Sequence, residues 1–471
     1  MPDTDRATPS AIDERALADR LGAALRGEII DRRHPEYDEV RCVWNGVIDR
    51  HPAVIARCTG TADVVEAVTA AREQRPVVSI RGGGHQVAGS AVCDDGLVID
   101  LSRMKGVYVD PEARTAHVQA GVTWGELDRE TQLFGLATPG GEISITGVAG
   151  LTLGGGMGVL MRAFGLSCDN LRSMEIVTAD GMVRTASHDR EPDLFWAARG
   201  GGRGLGVVTS FEFDLHPLGP EVATAQVIYP YENAETVVKN WREAALASPE
   251  TVSPELALWS VPPDPALPEE LHGKKVVFVV GVHAGPQGPE ADTVLAPLRQ
   301  LAPPLADLSG PMPFVMAQSA QDPMFPPGER YFMKSHFAEE LSDEAIRVVL
   351  ASDAERPTPQ TLIVFRTLGG AVGRVPEDET AFAHRSARFN VSFDAGWSDP
   401  AFDDTAIGWA RAAWDALKPY SSGGAYINFA GFGEDAEELV DAVYGPHEKR
   451  VDHTRASYDP EGIFAPAARM P

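Results

Sequence analysis

Two stretches near the start of the chain carry apolar residues at helical spacing: residues 11–25, and a segment with Thr61 as its expected cap, where Val64, Val65, Val68 and Ala71 share one face. Short β-branched runs then take over at residues 76–80, 97–101, 107–109 and 115–120. Thr123 with Glu126 three positions on forms a capping box, which predicts a helix reaching Phe134. Residues 174–179 and 182–186 flank Asp180-Gly181, a dipeptide suited to the positive φ angles of a tight hairpin, so antiparallel pairing is expected there.

Beyond Pro217-Leu218-Gly219-Pro220 the texture changes. Longer strands are predicted at residues 275–284, 361–368 and 388–395, between helices at 233–246 and 342–353. Residues 303–328 are proline-rich and show neither period, so they read as an active-site lid or as a solvated surface loop. The pattern predicts an α+β chain with a domain boundary near residue 220.

At 471 residues the chain is long enough for two or three units with substantial cores. Its 68 acidic against 41 basic side chains give a formal charge of −27, a field that repels phosphate backbones and acidic headgroups, so neither nucleic acid nor a membrane is an expected partner. No run approaches the ~20 apolar residues of a membrane span, and Arg32-Arg33 is not followed by an apolar stretch, so a cytoplasmic location is expected. Four cysteines without a C-x-x-C pair are read as reduced thiols. Metal chemistry gains little support, since His447 and His453 lack the spacing of a zinc helix.

Three glycine-rich segments, residues 82–84, 147–158 and 200–206, carry the strongest chemical signal, because backbone without Cβ atoms can lie closely against a phosphate. None fits the G-x-G-x-x-G fingerprint between a strand and a helix. Gly431-Phe432-Gly433-Glu434-Asp435-Ala436 fits the G-x-G-x-x-A variant, but Glu434 and Asp435 would repel a pyrophosphate at the helix start, so it is read as an ordinary turn. His85 directly follows the first glycine run, in a loop placed just after a strand.

Arg81-Gly82-Gly83-Gly84-His85, the segment Gly147-Val148-Ala149-Gly150-Leu151-Thr152-Leu153-Gly154-Gly155-Gly156-Met157-Gly158, Gly206-Val207-Val208-Thr209, Gly369-Gly370-Ala371 and Tyr458-Asp459-Pro460 occur in an order that resembles the FAD-linked oxidases related to berberine bridge enzyme, in particular the bacterial branch with 6-hydroxynicotine oxidase. The resemblance implies a two-part FAD-binding module of the vanillyl-alcohol oxidase type over residues 1–220, a substrate domain over 221–420 with an antiparallel or mixed sheet and flanking helices, and a C-terminal segment, 421–471, that returns to the FAD-binding module. It also implies FAD bonded through its 8α-carbon to His85, with Arg81, Gly82, Gly83, Gly84, Gln86 and Ser90 around it. Gly147, Gly150, Thr152, Gly155 and Gly158 would form a second cradle, and Val208 and Asn428 would meet the flavin.

In some members a cysteine just before the second cradle adds another tether; here Ile143 stands at that position, so a single tether is expected and Cys168 is read as a packed thiol. Many relatives end a Y-x-N-Y segment on a tyrosine base, whereas this chain has Tyr426-Ile427-Asn428-Phe429, and Phe429 cannot take a proton. Tyr426, Tyr331 and Lys334 remain as candidate catalytic groups; Lys334 reads equally as a buried base and as an exposed strand lysine. The implied reaction is hydride removal from a small organic substrate, an alcohol, amine, sugar or secondary metabolite, with molecular oxygen as acceptor and hydrogen peroxide as product. Another acceptor, or a flavoprotein that binds and sequesters a small molecule, are the alternatives. Oligomeric state stays open.

Overall fold

The computed structural model describes residues 13–202, 204–263, 265, 267–433 and 442–464. Its first element is the helix Glu14–Ala24, capped by the Asp13 carboxylate, which accepts from the Ala16 N–H at 3.0 Å. Leu17 and Leu21 of that helix are buried against the helix Thr61–Gln74, which sinks Val64, Ala67, Val68 and Ala71. Gly60, not Thr61, occupies the cap position; Asp63 in the first turn instead takes hydrogen bonds from the backbone N–H groups of Arg26, Gly27 and Thr59.

These helices cover two sheets. The first runs Glu28–Asp31, Val54–Arg57, Leu97–Asp100, Val78–Arg81, with the last three strands parallel. The second is antiparallel: Val107–Asp110, Thr115–Gln119, Val207–Asp214, Leu171–Val177, Val183–Ser187. The expected hairpin joins Leu171–Val177 to Val183–Ser187, but over a five-residue connection in which only Gly181 takes a positive φ, 80°. It is therefore not the two-residue turn that Asp-Gly suggests. The capping box at Thr123 and Glu126 is formed, and the helix Trp124–Thr131 tightens into a 3₁₀ turn, Gln132–Phe134.

From Glu221 the chain builds a third sheet in which every pairing is antiparallel. Its order is Ala306–Asp307, Glu221–Pro230, Lys275–His283, Val252–Ser260, Leu362–Thr367, Phe389–Trp397, Arg330–Ala338, with Gly310–Pro313 also on Glu221–Pro230. The helices Ala234–Ala247, Asp343–Ala354 and Asp403–Leu417 bury one face of this sheet. The opposite face turns toward the first two sheets.

Residues 303–328, which showed no period, are not structureless. They supply the two short edge strands, the helix Phe314–Gln318 and the 3₁₀ turn Asp322–Met324. The helix Glu448–Tyr458 packs on Pro192–Ala198, and Val451, Ile463 and Phe464 join the core of the first module. The helix proposed after Gly431-Phe432-Gly433 falls at residues 434–441, outside the described residues. No helix among the described residues is long and apolar enough to cross a membrane.

Candidate active site

All three glycine-rich segments converge on one cavity between the first module and the free face of the third sheet. The strand Val78–Arg81 delivers the first. Arg81 ends it by donating to the buried Asp100 carboxylate at 2.7 Å and to the Val40 carbonyl at 2.5 Å, so this guanidinium anchors the turn and does not line the cavity. Gly82, Gly83, Gly84 and His85 then form the wall, followed by Gln86 and Ser90. The Ser90 hydroxyl donates to Gln86 Oε1 at 3.3 Å, while Gln86 Nε2 is buried with no hydrogen-bond partner.

The His85 ring lies in a stack. Trp44 covers it with centroids 4.1 Å apart and planes at 16°, and Tyr331 covers the far side of Trp44 at 4.1 Å and 7°. The Trp44 indole N–H is fixed on the Phe325 carbonyl at 3.0 Å, and the Tyr331 hydroxyl on Pro326 at 2.8 Å. Burial pushes His85 down to about 4, because the cation is costly in this apolar stack. The imidazole is thus neutral near pH 7, and its Nε2 is buried without a partner. Tyr331 serves as the outer plate of this stack and is absent from the cavity wall.

The second glycine segment meets the first at backbone distance. A Cβ on Gly83 would stand 2.5 Å from the Gly147 nitrogen, and one on Gly147 would stand 2.5 Å from that of Gly83. Gly158 lies against the Gly140 carbonyl, and Gly155, at φ +110°, against Phe382. Gly155, Gly158 and Thr152 are therefore behind the wall, not on it. Gly150, in the helix Val148–Leu153, is different: nothing lies within 4 Å of its missing Cβ, and it faces the cavity. Val208 completes this side from the strand Val207–Asp214.

Tyr426 and Asn428 close the far end. The Tyr426 hydroxyl accepts from the N–H groups of Gly156 and Met157 at 3.1 and 3.0 Å and from Asn428 Nδ2 at 2.8 Å. Burial nevertheless raises its pKa to about 12, so it is a phenol near neutrality. Cys168 is fully buried among Met157, Phe337 and Phe382, away from the wall, with its thiol pushed up by burial.

The free face of the third sheet supplies residues that sequence reasoning missed. Alternation along Arg330–Ala338 sends Met333 to the cavity and Lys334 to the other side, where its ammonium sits 3.7 Å from the centre of the Trp414 ring. Lys334 is buried, so the exposed reading fails, but it does not line the cavity. On the cavity face Arg366 and Glu255 are directly paired across strands, and Asp394 lies on the same face.

Arg366 grips Glu142 with Nε at 3.0 Å and Nη2 at 2.9 Å, and its Nη1 donates to Ser392 Oγ at 2.9 Å. The Ser392 hydroxyl reaches Asp394 Oδ2 at 3.0 Å; Asp394 Oδ1 is buried with no partner. Gln321, from the segment expected to be a lid or a loop, donates to Glu255 at 3.2 Å and lines the cavity with Phe325. Burial, offset in part by Arg366, raises Asp394 to about 6. Burial and the Glu142 charge lift Glu255 well above the usual carboxylate range. A detectable signal did exist: an acid in the all-buried strand Phe389–Trp397 is costly unless it works or is paired.

A family model described as an FAD binding domain matches residues 52–187. The FAD-linked oxidoreductase YgaK of Bacillus subtilis is 31% identical over 447 residues, covering 93% of this chain and 96% of its own. The (R)-6-hydroxynicotine oxidase of Paenarthrobacter nicotinovorans is 38% identical over 195 residues, 41% of this chain and 43% of its own. Among solved structures, 6-hydroxy-D-nicotine oxidase from Arthrobacter nicotinovorans superposes with a TM-score of 0.81 at 26% identity, over 94% of this chain and 97% of that one. The residues present fit such a cofactor: the partnerless Nε2 of a neutral His85, the partnerless Gln86 Nε2, and the open space over Gly150 are features that a bound dinucleotide would account for.

Proposed function

Because the chain belongs to the FAD-linked oxidoreductases, we propose that it holds FAD covalently through His85 and oxidises a small organic molecule with molecular oxygen as acceptor. On this reading residues 1–220 and 421–471 make up the FAD-binding module and 221–420 the substrate domain, and the protein works in the cytoplasm without nucleic acid or membrane.

The observation that carries the proposal is the imidazole itself. A histidine able to bond to carbon must be neutral, immobile and in the cofactor's cavity, and His85 meets all three conditions. Gly82, Gly83, Gly84, Gln86, Ser90, Gly147, Gly150 and Val208 would hold the cofactor, with Tyr426 and Asn428 beside the ring. Arg81, Thr152, Gly155 and Gly158 would act one layer behind, by fixing the loops. Bound there, FAD would accept the hydride from substrate and pass two electrons to oxygen, releasing hydrogen peroxide.

The chain's own residues would manage the proton. Phe429 cannot, the Tyr426 phenol already takes three hydrogen bonds, and the Lys334 ammonium lies on the far face of the sheet. Asp394 is the group on the cavity wall with a free acceptor oxygen and a pKa suited to proton transfer near neutrality. Tyr331 and Lys334 are left as positioning residues.

Acid precipitation tests the tether: the pellet should be yellow, and its digest should yield one flavin-bearing peptide containing His85. Hydrogen peroxide formed in air, in step with substrate turnover, tests the acceptor. A colourless protein after reconstitution with FAD would overturn the reading.

A further inference from the structure

The polar wall of the cavity is unbalanced in charge. Glu142 and Asp394 line it beside Arg366, and Glu255 lies behind, 4.0 Å from the same guanidinium, whose Nε, Nη1 and Nη2 each donate to Glu142 or Ser392. Arg366 is 3% exposed and Asp394 2%, so solvent does little to screen either. A guanidinium already held by a carboxylate on two nitrogens is not a vacant anion site, because a substrate carboxylate would have to displace Glu142 first. Asp394 is the reverse case. Its Oδ2 is held by Ser392, while Oδ1 has no hydrogen-bond partner, and the apolar side chains of Ile143, Phe325, Met333 and Phe429 line the same cavity. A buried acceptor of this kind is costly until a donor reaches it.

Resting on the reading of the chain as an FAD-linked oxidoreductase, we propose that the site takes an apolar or aromatic amine, recognised as its ammonium by the free oxygen of Asp394 beside the Arg366–Glu142 pair. The excess acid gives the wall a negative charge that a cation neutralises, a neutral hydroxyl leaves in place and an anion increases. Once bound, the ammonium gives an N–H proton to Asp394, leaving a neutral amine and a neutral carboxylic acid with total charge unchanged. Removal of that proton returns a lone pair to nitrogen, and this lone pair is what weakens the adjacent C–H bond toward loss of hydride. Both Glu142 oxygens are taken up by Arg366, and burial favours the protonated form of Glu255, across the strand from Arg366, so Asp394 is the acceptor in reach.

The test uses three probes with one apolar frame: benzylamine, benzyl alcohol and benzoate. Their binding to the purified full-length holoprotein is measured by calorimetry near pH 7.5, which does not depend on flavin turnover. Benzylamine should bind at least about tenfold more tightly than the other two, the equivalent of one charge contact of about 1.4 kcal/mol. Asp394→Asn should erase that preference. Benzoate binding as tightly as benzylamine, or a preference that survives Asp394→Asn, overturns the proposal. If the variant does not fold, the wild-type order of the three probes still decides. Failure of the flavin reading shows separately, as protein that never turns yellow, while the probe order reads Asp394 alone.

Discussion

Not every glycine around the cavity has the same task, and two alanine substitutions separate the tasks. At Gly83 a Cβ would stand 2.5 Å from the Gly147 nitrogen and 2.6 Å from its Cα, a backbone contact that cannot be relieved by rotating a side chain. Overpacking of that kind costs about 1–3 kcal/mol, and the upper end is expected where backbone must move. At Gly150 the same Cβ meets nothing within 4 Å, and the residue is helical, so alanine should stabilise the empty protein by about 0.5–1 kcal/mol. If FAD lies against Gly150, the methyl group intrudes on the cofactor, and affinity should fall by about 1–3 kcal/mol, or roughly 5- to 150-fold. The measurement is best made in a His85→Ala background, where FAD is exchangeable: denaturant unfolding of flavin-free protein gives stability, and FAD titration gives affinity. Equal destabilisation by Gly83→Ala and Gly150→Ala would refute the assignment of Gly150 to the cofactor wall, as would unchanged FAD affinity in Gly150→Ala.

His85→Ala alone should retain FAD that appears in the supernatant after acid precipitation, whereas wild type should carry its colour into the pellet. Asp394 has a folded pKa of about 6 against an ordinary 3.8, so the folded state binds its proton more readily and stability should fall by roughly 1.4 kcal/mol per pH unit as pH rises through that window. Asp394→Asn should abolish that slope in urea titrations, and with it the rise in anaerobic flavin reduction near pH 6, a rise that also feels Arg366, Glu142 and Glu255 around the group. Lys334→Met should cost about 2 kcal/mol, the scale of a desolvated cation–aromatic contact, without moving the pH limb of flavin reduction. Trp44→Ala, by freeing the His85 ring, should lower the fraction of flavin that resists acid extraction, while Tyr331→Phe, which keeps a plate in the stack, should not.

The cofactor half of the cavity was legible because it is written in local signals. A β-branched run, a glycine triplet and a histidine follow one another, and the fold keeps them in that order around the cavity. What the pattern could not show is why each glycine is present. Gly83 and Gly147 are far apart in sequence yet within backbone contact, and only the fold reveals that they make room for each other. The strands and helix of the segment 303–328 were not legible for a related reason. Its prolines and short strands pair with Glu221–Pro230 across a long loop, and pairing of that kind leaves no period in the sequence.

The half of the cavity formed by the third sheet is legible only through register. In Arg330-Tyr331-Phe332-Met333-Lys334 both faces are buried, so apolarity does not reveal which parity meets the cavity, and a one-residue error exchanges Lys334 for Met333. Opposite-charge pairing gives the parity that apolarity hides. Arg366 pairs with Glu255 across one strand boundary, and Met333 pairs with Asp394 across another, so these three charges share the cavity face, while Lys334 lies on the other face against the Trp414 ring. Burying two acids and one arginine on one face of a sheet, with Glu142 of the first module packed onto them, is too costly to serve as packing. Opposite charges in otherwise apolar strands, aligned with one another by antiparallel pairing, therefore mark the face that meets the cavity.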